Sequence, residues 1–210
     1  MNEREHGVTE HEHRGFVPTR RLEALADGVF AIAATLLILD VTTTGAPLSG
    51  ELVRISPSYA AYFVTFISIG IAWINHGTVI SLVDRTDRTF LVLNLFLLAF
   101  VGFIPFPTRL LAVHLFDADA QAAVLAYGIT LFAASLFFNA IWFYGVLGRG
   151  LLSREADAHL VEGISRSYMP GPLLFGAATL VAIFLPVVSA VLFAAIVLFY
   201  LVEATVFARG

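Results

Sequence analysis

Apolar residues gather in this chain into long runs separated by short polar breaks. No Asp, Glu, Lys or Arg occurs in 55–83, 89–108, 120–148 or 167–202. A helix needs roughly 20 predominantly apolar residues to cross a ~30 Å hydrocarbon layer. Each of the first three runs therefore supplies one span. The fourth is long enough for two, with Pro186 near its middle as the break. A sixth segment, 21–41, is uninterrupted only over 28–39. That stretch is short for full contact with lipid, yet it is the most patterned part of the chain.

The pattern predicts helices over 20–41, 57–84, 88–115, 120–147, 168–185 and 188–208. This is an all-α integral membrane bundle of six transmembrane helices in one domain, 20–210, behind a flexible cytoplasmic tail, 1–19. Gly45, Pro47, Gly50 and Pro57 mark 42–57 as a turn-rich loop. The DRTDR sequence of 84–88 reads as a tight charged turn, and the charges of 149–166 suit a short surface helix. Pro105 and Pro107 should kink the third helix, and the carbonyls they free should find partners on neighbouring helices. No internal repeat is evident.

On a wheel of ~100° per residue, Leu25, Val29, Ile32, Leu36 and Leu39 fall within a stripe about 80° wide. Asp27, Ala31 and Ala34 lie on roughly the opposite side. Small residues let membrane helices approach closely, and an intramembrane carboxylate must face protein or water. The expectation is that the Asp27 edge packs on sister helices and that the aliphatic edge faces symmetry mates around an axis. Asp27 and Asp40 would then place acids near both mouths of a central conduit.

Depth gives a second constraint. At ~1.5 Å per residue, Asp27 lies about 10 Å from Arg20, His76 about 12 Å from Asp84, Asn94 about 9 Å from Arg88 and Glu203 about 9 Å from Arg209. Four polar groups on four helices share one level, which predicts a satisfied interhelical network. A proton relay through Asp27 and His76 is the functional alternative, since His titrates near neutrality.

Composition agrees with a membrane protein. The chain is 59% hydrophobic and 13% charged, against about half and a quarter in soluble domains. It has no Cys, which excludes disulfides and thiolate chemistry. All its basic residues are Arg. With six spans, Arg4, Arg14, Arg20, Arg21, Arg85, Arg88, Arg149, Arg154, Arg166 and Arg209 fall on one side, and Arg54 and Arg109 on the other. By the positive-inside rule both termini are cytoplasmic, in a multi-pass protein of the cell (plasma or inner) membrane. So scattered a set of basic residues gives no reason to expect nucleic acid as a partner. The first nineteen residues lack an apolar core, so no cleavable signal is expected. His6, His11 and His13 read as part of a solvated tail rather than a metal site. The spacing of His114, Asp117 and Asp119 is loose, and a solvated loop is the plainer reading. No other nucleophile–base pair or ligand cluster stands in a loop, so an enzyme is not expected.

The run from Arg21 to Asp27 (RLEALAD), followed by Gly28 to Leu39 (GVFAIAATLLIL), resembles the signature of the transmembrane protein 175 family. That signature is Arg-x-x-x-Phe-Ser-Asp, then small and aliphatic residues and a Thr-Leu pair. Trp73-Ile-Asn75-His76, Asn94 and the Phe103-Ile-Pro105-Phe-Pro107-Thr108 ending of the third helix extend the match across the first half of the chain. The resemblance implies six-helix subunits assembled as a homotetramer in the lipid bilayer, with the first helix lining a central pore that passes potassium passively. It further implies that Ile32 forms the narrowest ring, that Leu36 and Leu39 follow, and that Thr35 offers a ring of hydroxyls. Arg21, Asp27, Trp73, Asn75, His76 and Asn94 would form a structural or gating network. No cofactor is implied, nor any metal beyond the permeating K+.

Two departures stand out: Leu25 and Ala26 replace the motif's Phe and Ser. The wheel also makes Arg20, rather than the motif's Arg21, the intrahelical neighbour of Asp27. No Thr-Val-Gly-Tyr-Gly carbonyl filter exists, so selectivity would rest on a narrow aliphatic ring. The rival reading is a proton-coupled secondary transporter, or a proton-permeable channel, using Asp27 and His76 with Glu203.

Overall fold

The computed structural model describes residues 19–41, 47–148, 151–153 and 158–207. The tail with its three histidines, and Arg149, Arg154 and Arg209, lie outside the described residues, as does the side chain of Asp40. The described residues form helices α1 (Arg20–Leu36), α2 (Leu48–Arg54), α3 (Ser56–Ser81), α4 (Arg88–Phe103), α5 (Pro105–His114), α6 (Ala120–Ile141), α7 (Ala158–Tyr168), α8 (Gly171–Val181) and α9 (Pro186–Phe207). A 3₁₀ turn, Leu37–Asp40, extends α1, and a π-helical segment, Trp142–Gly148, extends α6. The fold is all-α.

Among the described residues, five segments are long and apolar enough to cross a membrane: Arg20–Leu39, Ser56–Ser81, Arg88–His114, Ala120–Gly145 and Pro186–Glu203. The expected span over 168–185 is shorter. At ~1.5 Å per residue α8 is only about 16 Å long, half a bilayer core. Pro170 and Pro172 delay its start, and Pro186 forces a new helix after it. Its end tightens into 3₁₀ bonds, Ala182 N to Thr179 O, Ile183 N to Leu180 O and Phe184 N to Val181 O. The amide of Gln121 donates to the Ile183 carbonyl in that turn, and Ser189 Oγ donates to Ala178 O at 2.7 Å across the break.

Three further elements depart from expectation. The 42–57 loop holds a helix, α2, with Glu51 in its first turn, where a carboxylate favours the helix dipole. Arg54 pairs with that buried carboxylate at 2.7 Å. The third span breaks outright at Ile104. Pro105 brings no N–H to Val101 O, so Ile104 N serves both Phe100 O (3.1 Å) and Val101 O (3.2 Å). That freed carbonyl is met within its own helix rather than by a neighbour. The fourth span widens into the π turn, where Gly145 lies against the buried ring of Phe90. A Cβ at that position would come within 2.3 Å of the ring.

α6 is the hub of the bundle and packs on α4, α5, α8 and α9, while α1 lies against α3 and α4. The core between them is aromatic, with Phe90, Tyr127, Trp142 and Phe193 almost wholly buried. At the end of the bundle bearing the 82–88 turn, Asp87 caps α4 by accepting from Phe90 N at 2.8 Å and also accepts from Tyr144 Oη at 2.7 Å. Residues 82–84 pair with 151–153 through Asp84 N to Leu151 O (3.1 Å) and Ser153 N to Leu82 O (2.8 Å). The two polar segments read separately in the sequence are thus stitched together.

Candidate functional site

The packed face of α1 is Leu22, Ala26, Phe30, Ala33 and Leu37. Their spacing of four, four, three and four residues holds them on one stripe. Large and small side chains alternate along it, so each alanine admits a neighbouring helix and each large residue fills the gap beside it. This corrects the wheel reading, in which Asp27, Ala31 and Ala34 formed the packing edge: Asp27 and Ala31 are exposed, and Ala34 is only half-buried. Ala26, where the family motif has Ser, sits inside the packed stripe.

The aliphatic edge is uncovered. Leu25 is 46% exposed, Ile32 60%, Leu36 41% and Leu39 67%. Val29 is the exception, half-buried and turned toward Gly102 of α4. Thr35 is exposed, with its hydroxyl donating back to the Ala31 and Ile32 carbonyls at 2.9 and 3.0 Å.

The polar residues expected to share one network fall into three groups. Asp27 accepts from Trp73 Nε1 at 2.8 Å on the open side of the α1–α3 contact. Arg20 and Arg21 are exposed, and neither reaches Asp27 among the described residues. His76 and Asn94 are buried together, with His76 Nε2 2.8 Å from Asn94 Oδ1. The Asn94 amide donates to Phe90 O at 2.8 Å. That contact turns the amide oxygen toward the imidazole, so His76 carries its proton on Nε2. Phe30 of α1 covers the pair, 5.6 Å from the His76 ring. Asn75 points to the far side of α3 and lines a cavity shared with α4, α6, α8 and α9. Glu203 is half-exposed near the end of α9, one turn beyond Tyr200. Of the four groups at one depth, His76 and Asn94 meet, while Asp27 and Glu203 leave their helices at other angles and stand apart from them.

The sequence reading missed a buried hydroxyl cluster at the α5 kink. Thr65 Oγ1 and Tyr127 Oη are 3.0 Å apart, and Thr108 Oγ1 lies 3.4 Å from Thr65. Its available signal was lone hydroxyl residues inside otherwise apolar runs. His114, Asp117 and Asp119 lie closer together than their spacing suggested, with ligand atoms all within 4.8 Å of one another. His114 Nδ1 donates to Asp117 at 2.8 Å, and Asp119 N donates to it as well. These bonds hold the Asp117 carboxyl below its usual range.

A bundle of long apolar helices, the first packed along one stripe with an aliphatic edge and a carboxylate left open, defines an integral membrane protein of the helical class. The family model described as endosomal/lysosomal potassium channel TMEM175 matches residues 21–105. A protein named as a potassium channel from Chamaesiphon minutus is 41% identical over 165 residues, covering 75% of this chain and 80% of that one. A crystal structure described as a lysosomal potassium-selective channel TMEM175 homolog from the same organism has a TM-score of 0.81 at 34% identity. It covers 88% of this chain and 97% of the other. A zebrafish (Danio rerio) protein named as the endosomal/lysosomal proton channel TMEM175 is 36% identical over 137 residues. That match covers 58% of this chain but only 26% of the relative. The chain belongs to the TMEM175 family of membrane channels.

Proposed function

We propose that the chain is a subunit of a passive, potassium-preferring cation channel in which four copies place α1 around a central pore. Residues 20–210 act as one channel domain, with the 82–88 turn and both termini on the cytoplasmic side of the cell membrane. The observation that carries the reading is the uncovered edge of α1. That helix is buried on Leu22, Ala26, Phe30 and Ala33, with Leu37 just beyond it, while Ile32, Leu36 and Leu39 are exposed. Lipid alone is a poor cover, because the exposed arc also carries Asp27, about 140° round the helix from Ile32, and an intramembrane carboxylate requires protein or water. A ring of α1 helices meets both needs: the aliphatic edge faces the axis, and the Asp27 edge faces a neighbouring copy or a hydrated mouth.

Ile32 then forms the constriction, with Leu36 and Leu39 beyond it. Its aliphatic wall offers no oxygen to replace an ion's hydration shell, so passage requires partial dehydration. Potassium holds its water less tightly than sodium and is penalised less. Such a ring also closes by dewetting. Thr35 gives its hydroxyl proton to its own helix, which leaves the oxygen lone pairs free to meet a passing cation as a ring of hydroxyls. The Asp27–Trp73 bond ties α1 to α3, and the His76–Asn94 pair joins α3 to α4 beneath Phe30 of α1, so together they set the bore. Reversal potentials of the purified protein in planar bilayers under K+/Na+ gradients test the reading. Ohmic currents with a potassium-favouring shift support it, and saturable carrier-like flux opposes it.

A proton-permeable version is the second reading, motivated by the proton-channel name of the animal relatives and by the buried histidine. Asp27 and His76 are held by separate partners, Trp73 and Asn94. A relay would therefore need water between them. Currents driven by a pH gradient at symmetrical potassium distinguish this version.

A further inference from the structure

A second feature lies away from α1, none of whose residues lines it. A cavity of about 110 Å³ runs between α3, α4, α6, α8 and α9. Its walls are mostly carbon, from residues such as Leu97, Val101, Phe138 and Phe175. Four of its polar residues, Asn75, Asn139, Tyr168 and Tyr200, meet near the start of α8, while Ser68 and Ser135 stand elsewhere in the wall and Ser135 Oγ donates to Phe132 O. Most of these are already engaged: the Asn139 amide donates to Ser135 O and Tyr168 O at 3.2 and 3.0 Å, and Tyr168 Oη makes a long contact of 3.5 Å with Asn75 O. Tyr200 is different. Its hydroxyl is buried and has no hydrogen-bond partner among the described residues.

A buried hydroxyl without a partner costs roughly 1–3 kcal/mol, so native structures almost always satisfy one. Water meets the need poorly through most of this space, because a water molecule wants two to four polar partners and the walls supply few. The shape instead matches the usual small-molecule site, an apolar body with a few polar groups fixing one end. A cavity of about 150 Å³ in another protein admits benzene, so this one takes a body of about four or five heavy atoms. A charged head would need a partner within the cavity. An anion is further opposed by the carboxyl group of Glu203, which lies one turn beyond Tyr200 on α9.

We infer that this cavity is a binding site for a small uncharged amphiphile of the alkanol type, its hydroxyl head paired with Tyr200 and its aliphatic body between α3, α6 and α8. The site is separate from the α1 edge and does not depend on the pore assignment. Bound there, the amphiphile joins the short α8 and the start of its loop to the long helices α3 and α6.

The test uses the full chain in nanodiscs and a short alkanol bearing a photoreactive diazirine, with labelled positions mapped by mass spectrometry. The expected result is labelling centred on Tyr168, Phe175 and Tyr200 and suppressed by excess n-butanol. Tyr200→Phe should weaken labelling about fivefold, the worth of one hydrogen bond, while leaving the competing effect of n-butane-sized apolar gas unchanged. Ala134→Phe should fill the space and abolish labelling. Ala72→Leu serves the same purpose should the first variant fail to give a monodisperse, cooperatively melting protein. Labelling spread evenly over the outward residues of α9, or unaffected by both Tyr200→Phe and n-butanol, would show partition from lipid and overturn the proposal. So would the absence of label in a folded protein, which would mean that the cavity holds water alone.

Discussion

The indole nitrogen of Trp73 on α3 donates to a carboxylate oxygen of Asp27 on α1 at 2.8 Å, the one side-chain hydrogen bond of that acid among the described residues. It ties the open side of α1 to the bundle at a point where neither Arg20 nor Arg21 reaches. Trp73→Phe keeps the ring and removes the donor. Hydrogen bonds to charged groups are worth about 1.5–3 kcal/mol when protected, and the exposure of this one places it at or below the lower end. The expected outcome is a modest loss of thermal stability in detergent, with a coupling of about 1 kcal/mol in a double-mutant cycle with Asp27→Asn. Strictly additive effects would show that the contact carries no energy of its own.

The buried pair beneath it should respond more strongly. Asn94→Ala leaves the His76 imidazole N–H without an acceptor in a fully buried setting, a loss of about 1–3 kcal/mol. The double replacement His76→Phe with Asn94→Leu removes both polar partners and should recover much of that. Denaturant unfolding of the purified protein compares the two. A double variant less stable than Asn94→Ala would mean that the pair contributes more than mutual satisfaction.

Gly145 should tolerate no side chain. A Cβ there would approach Phe90 to 2.3 Å, and Phe90 is completely buried, so its ring has nowhere to move. Gly145→Ala is expected to cost about 1–3 kcal/mol through overpacking, and Phe90→Leu in the same chain should relieve part of it. Gly128 offers a parallel case, since its Cβ would lie 2.5 Å from Thr179 Oγ1 and 2.7 Å from the Phe193 ring. Melting curves of the single and paired variants decide both.

Ile32→Asn replaces the proposed dehydrating ring with amides that can hydrogen-bond to a hydrated ion. Discrimination between K+ and Na+ should fall and conductance should rise, read as a reversal potential moving toward zero under bi-ionic conditions. Leu36→Asn should act in the same direction but less, since Leu36 lies beyond the proposed constriction. Reversal potentials unchanged in Ile32→Asn would remove this residue from the filter.

Acid should loosen the loop after α5. The Asp117 carboxyl is held below its usual pKa by its bonds from His114 and Asp119 N. A carboxylate depressed in the folded state stabilises above its unfolded pKa, and that support is lost as pH falls through the folded value. The loop should therefore resist proteolysis equally at pH 7 and pH 5 and less below about pH 4, where free Asp takes up its proton. His114→Ala removes the main cause of the depression, so the loss of resistance below about pH 4 should become smaller.

The sequence by itself determined the membrane class, the all-helical fold and the positions of its main apolar spans, because hydrocarbon forces backbone bonding inside each segment and leaves that demand written as uninterrupted apolar runs. It also singled out 20–41 as the most patterned segment and set Ile32, Leu36 and Leu39 on one edge, since helical periodicity is a local property. Tertiary structure decided which edge of α1 is buried. Leu22, Ala26, Phe30, Ala33 and Leu37 were as regular as the edge singled out, and only the shape of α3 and α4 selected between them. It also decided that polar residues at one depth would separate into Asp27–Trp73, His76–Asn94 and an outlying Asn75, because depth fixes distance along a helix axis and says nothing of azimuth. The breaks at Ile104 and after Val181, the extra helix α2 and the cavity beside Tyr200 arose in the same way: each depends on what neighbouring helices leave room for, which no single segment encodes.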